Sequence, residues 1–106
     1  MKQLPQTLTR KKFIYEQIQR SDKAALYSQK EGDRILAYEV FKVRKLNSYV
    51  LAGITFEESE AFPHDEAFGL WAWSISVFNN PERALKRAGD IYIKLNTNSD
   101  ETDSNQ

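Results

Sequence analysis

DRILAYEVFKVRK (33–45) separates into two faces when its residues are read alternately. Ile35, Ala37, Phe41 and Val43 fall on one side, with Glu39 as the polar intruder among them. Arg34, Leu36, Tyr38, Val40, Lys42 and Arg44 fall on the other. Side chains alternate across a strand with a period of two, so the stretch predicts a long strand with an apolar face and a basic, aromatic one. At roughly 3.3 Å per residue such a strand spans a small domain and belongs inside its sheet.

The flanking segments supply its neighbours. Lys30-Glu31-Gly32-Asp33 reads as a hairpin turn, since Gly32 tolerates the positive φ such turns need. Before it, residues 24–29 form a short strand carrying Leu26 and Tyr27, and residues 12–20 another carrying Phe13 and Tyr15. Ser21-Asp22-Lys23 is the turn between them. After Leu46-Asn47-Ser48, residues 49–57 read as a fourth strand, with Val50, Ala52, Ile54 and Phe56 on one face. That face is expected to meet Ile35, Ala37, Phe41 and Val43 in the core.

In LWAWSISVF (70–78) large and small residues alternate, which favours a fifth strand over a helix. Trp71 and Trp73 then share a face, and their size makes core the better expectation than an exposed binding spot. Asn79-Asn80-Pro81-Glu82 is a helix start: Asn80 as cap, Pro81 in the first position, Glu82 at the positive end of the dipole. Ala84, Leu85, Ala88, Ile91, Tyr92 and Leu95 follow at helical spacing, with Gly89 a weak point. The fold expected is α+β: an antiparallel meander of about five strands with a C-terminal helix packed on one face. Residues 1–11 are expected to be an N-terminal arm and 12–95 the single domain. NTNSDETDSNQ (96–106) contains no apolar residue and is expected to be a disordered tail.

AYEVFKV (37–43) and EAFPHDEAFGLWAWSI (60–75) resemble segments of small uncharacterised proteins of Bacteroidetes bacteria and their phages. In these a YEVxxI-type strand precedes an acidic ExFPxxEAFGxxAW connection, and a short helix rich in Ala and charge follows, as PERALKRAGD (81–90) does here. The resemblance implies a phage or mobile-element setting and brings no catalytic residues with it. His64 stands where the pattern has a small hydroxyl residue, which argues against a catalytic role for that position.

The 106 residues allow one core. With no cysteine there is no disulfide, thiolate nucleophile or Cys-based zinc site. No apolar run approaches a membrane span or a secretory signal, so a cytoplasmic protein, in the host cytoplasm if phage-encoded, is the expectation. The net charge is zero but polarised: residues 1–48 hold eleven Lys and Arg against five Asp and Glu, and residues 49–106 four against ten. The densest polar cluster is acidic: Glu57, Glu58, Glu60, Asp65 and Glu66, with His64. It lacks HExxH, EF-hand spacing and a second histidine, and the four glycines make no phosphate loop. We therefore expect no enzyme, no cofactor, no metal and no small-molecule substrate, and read the acidic loop as a partner-binding segment.

A second constellation is basic and aromatic. Arg34, Tyr38, Lys42 and Arg44 share a face of the organising strand, with Arg10 and Lys12 near the first strand. If that face is open, its cations and ring suit single-stranded nucleic acid; if the helix covers it, Tyr38 and Val40 are core. The function expected is non-enzymatic binding to a host protein or ribonucleoprotein, modulating or inhibiting it. The alternative is binding of single-stranded DNA or RNA on the basic face.

Overall fold

In the computed structural model, which describes residues 3–78 and 80–104, the organising stretch is a strand flanked on both sides. β1 (Thr7–Arg10), β2 (Phe13–Arg20), β3 (Ala24–Glu31) and β4 (Arg34–Lys42) follow one another, and β9 (Ala72–Ser76) closes the sheet in the order β1-β2-β3-β4-β9. Every pairing is antiparallel. Gly32, at φ 63, turns the chain between β3 and β4. The register sets Tyr27 opposite Glu39 and Val40 opposite Trp73, so β4 is internal to the sheet. The expected α+β meander with a helix on one face is the fold observed.

One face of the sheet is covered by α1 (Pro81–Ser104). Its start follows the sequence signal: Asn80 Oδ1 accepts a hydrogen bond from the Arg83 amide at 3.0 Å. Asn79 itself lies outside the described residues. Ala84, Ala88 and Tyr92 recur at intervals of four and pack with Leu26, Tyr38, Val40 and Val77 in one buried cluster. The alanines let the helix approach closely, and Leu26 and Val40 each contribute roughly 2 kcal/mol by leaving water. The basic, aromatic face of β4 is thus the closed one, and Tyr38 is core.

The opposite face is covered by chain rather than by a strand. Phe62 sets its ring edge-on against Tyr15, Tyr27 and Phe41 at 5.1–5.3 Å. Leu4, Ala67, Ala72 and Trp71 complete this cluster. β9 takes the place beside β4, and the segment expected to be the fourth strand of the meander, 49–57, is not in this sheet. It folds on itself as β6 (Tyr49–Leu51) and β7 (Ile54–Phe56), and β5 (Arg44–Leu46) pairs with β8 (Ser59–Ala61) at its base. Ala52 and Gly53, at φ 53 and 78, make the turn that the alternating pattern conceals.

Three further expectations need correction. The N-terminal arm is part of the domain: β1 pairs with β2, Leu4 is buried, and the Tyr27 hydroxyl donates to the Pro5 carbonyl at 2.6 Å. The tryptophans do not share a face, because Trp71 precedes β9 in a turn where Gly69 takes φ 90; Trp71 joins the Phe62 cluster and Trp73 the helix cluster. Lastly, α1 passes through Gly89 and the polar 96–104 segment to Ser104 instead of giving way to a disordered tail. Once nucleated by a cap and a packed first half, a helix propagates at little cost, one backbone hydrogen bond for each residue added. Residues 105–106 lie outside the described residues. No helix among the described residues is long and apolar enough to cross a membrane.

Candidate functional site

The two-stranded ribbon from Arg44 to Ala61 is the part of the chain that the core leaves over. Its strands pair with each other and belong to neither buried cluster, apart from the Phe62 anchor that immediately follows them. Register aligns Tyr49 with Phe56 and Leu51 with Ile54, and the rings of Tyr49 and Phe56 stack at 4.9 Å. That pair holds the hairpin together, yet its apolar surface stays in solvent. Tyr49, Val50, Leu51, Ile54 and Phe56 are 51, 67, 64, 58 and 39% exposed, and Leu46 at the base is 52% exposed. An isolated hairpin is marginally stable in water, and apolar side chains contiguous on a polar-rimmed surface mark a contact surface.

The base of the ribbon is fixed by charge. Glu60 places its carboxylate under the sheet edge, where its side chain is 5% exposed. Arg20 grips it with both terminal nitrogens, at 2.6 and 3.0 Å, and the Leu4 amide donates to Oε1 at 2.9 Å. The guanidinium bonds hold this carboxyl below its usual range. Glu60 is therefore a structural clamp tying N-terminus, β2 and ribbon together, not a free member of an acidic docking loop. Glu57 and Glu58 are exposed in the link between β7 and β8, and the exposed cations Arg44 and Lys45 stand at the base of the ribbon, opposite Ala61 and Glu60. Arg44 also lies over the Trp71 ring, 5.2 Å from its centroid.

The remaining residues singled out in the sequence are dispersed. Arg34 is exposed at the start of β4 and Lys42 half-buried at its end, with Tyr38 shut beneath α1 between them. No open basic–aromatic sheet face is formed by Arg34, Tyr38, Lys42 and Arg44. Arg10 donates from Nη1 to the Pro63 carbonyl at 2.7 Å and lies 5.6 Å from the Phe62 ring centroid. Lys12 pairs with Glu31 at 3.0 Å in an exposed contact. Asp65 and Glu66 open a single 3₁₀ turn, Asp65–Ala67, and are exposed. His64 is exposed beside Trp71. Among the described residues no three His, Cys, Asp or Glu side chains gather as a metal-binding group.

Sequence reasoning placed the apolar residues of 49–57 in the core and so missed the ribbon. The available signal was Gly53 with alternating apolar residues on either side, a weaker hairpin mark than Asn-Gly or Asp-Gly. No protein-family model, no curated protein and no solved structure matches the chain.

Proposed function

We propose that the protein is a non-enzymatic binding module that docks on another protein through the tip of the 44–61 ribbon. The observation carrying this is the exposure of Tyr49, Val50, Leu51, Ile54 and Phe56 on a hairpin that no buried cluster among the described residues claims. Aromatic and branched side chains at the centre of a contact, ringed by charge, are how a small interface concentrates its energy. Here the exposed Glu57 and Glu58 follow Phe56 directly, and the exposed Arg44 and Lys45 lie at the base of the ribbon. The resemblance to small proteins of Bacteroidetes bacteria and their phages supports a host protein or ribonucleoprotein as the partner, and a cytoplasmic meeting place. Occupying a surface of that partner modulates or inhibits it without chemistry.

The test is affinity capture from nuclease-treated host lysate, comparing the native chain with a V50D/I54D variant. Both positions lie outside the core, so the variant keeps its circular dichroism and unfolding midpoint. The expected result is a protein partner that survives nuclease and is lost with the variant. Capture of the same proteins by both chains contradicts the proposal. Loss of all capture on nuclease treatment contradicts it too, and favours nucleic acid.

A further inference from the structure

Glu39 is the polar residue on an otherwise apolar strand face, and it faces an open cleft. It is 6% exposed and stands between Tyr27 on β3 and Ser74 on β9. Among the described residues no hydrogen-bond donor reaches its carboxylate. Desolvation pushes that carboxyl up to about 7, against an opposing pull from Arg10 and a further push from Asp65. A buried carboxylate without a partner destabilises the fold, and such groups concentrate at binding sites.

The cleft above it measures about 280 Å³. Phe13 and Phe68 give it aromatic walls. Arg10 and Lys11 stand on it as cations and Asp65 as a second carboxylate. Tyr15 also lines it; its hydroxyl accepts from Gln29 Nε2 at 3.0 Å and keeps its own proton to donate. Lys11 is held there by a left-handed backbone, φ 58, in the turn between β1 and β2.

This lining selects by charge. A simple anion meets Glu39 at the floor, and a simple cation meets Arg10 and Lys11. We propose that the cleft binds a small zwitterion of the arginine type, its guanidinium or ammonium end on Glu39 and its carboxylate end on Lys11 and Arg10. A guanidinium matches a carboxylate through two parallel hydrogen bonds, and aromatic walls favour the same group through their ring faces. The site lies on the sheet face under Phe62 and does not involve the apolar tip of the ribbon, so it stands or falls separately from the docking surface.

Calorimetric titration of the full chain with L-arginine tests it, with agmatine, which lacks the carboxylate, as the second probe. Arginine is expected to bind saturably, and agmatine more weakly. Glu39→Gln should weaken arginine by about tenfold or more, since it removes a charge-assisted pair. Lys11→Asn, which the left-handed backbone accepts, should weaken arginine and leave agmatine unchanged. No saturable binding of arginine, equal binding of the two probes, or unaltered affinity in Glu39→Gln overturns the proposal.

Discussion

Ala52 carries the turn of the ribbon with a backbone conformation that side-chain-bearing residues resist, φ 53. Asn adopts it more readily, so Ala52→Asn should stabilise the hairpin by roughly 0.5–1 kcal/mol. Because the hairpin opens locally rather than with the core, the gain belongs in amide exchange. Exchange at Leu51 and Ile54 should slow by about two- to fivefold, while the global unfolding midpoint stays put. Glu39 acts in the other direction. Its carboxyl titrates near 4.5 in the unfolded chain and at about 7 in the folded one. Between those values the folded state holds a proton that the unfolded state has released, so stability falls as pH rises through this window, by about 3 kcal/mol in all. Below 4.5 both states are protonated and the loss is absent. Urea unfolding from pH 5 to 8 should show this decline in the native protein. Glu39→Gln should flatten it and exceed the native stability at pH 8.

At the scale of elements, the Glu60 clamp and the helix cap fix where the ribbon and α1 leave the domain. Glu60→Ala leaves Arg20 and the Leu4 amide without their carboxylate and should cost about 2–3 kcal/mol in urea unfolding. The Glu60 carboxyl is held low, so its contribution is present above the ordinary 4.5 and disappears as pH falls through the depressed folded value. Its pH window thus lies below that of Glu39. The cap at Asn80 is worth about 1 kcal/mol, which Asn80→Ala should remove. At the far end of the packed helix, the Ser21 hydroxyl donates to Asn96 Oδ1 and accepts from the amides of Lys23 and Ala24 at 3.1 Å. The turn between β2 and β3 is pinned to α1 by that hydroxyl.

For the whole molecule, local signals carried most of the fold. Gly32, the alternation in β4, and Asn80-Pro81-Glu82 each state their structure within a few residues, and the sheet with its helix follows. Information that depends on distant partners was not legible. Tyr38 reads as core or as a base-stacking ring until the helix is placed over it. Val50, Ile54 and Phe56 have the pattern of a buried strand face, yet β9 holds the place beside β4 and Phe62 and Leu4 cover the sheet, so they stay outside. Glu60 reads as one more acid in an acidic stretch until Arg20, forty positions earlier, closes on it. The candidate site was hidden for that reason: its mark is apolar residues in the wrong place, and place is a tertiary property.

Docking of the ribbon tip on another protein is open to direct test. A photoreactive amino acid at Val50, with one at exposed Arg87 on α1 as control, tests it in host cells followed by nuclease treatment. The expected result is a discrete protein adduct from position 50 and none from position 87. Adducts from both positions alike, or from neither, would contradict it.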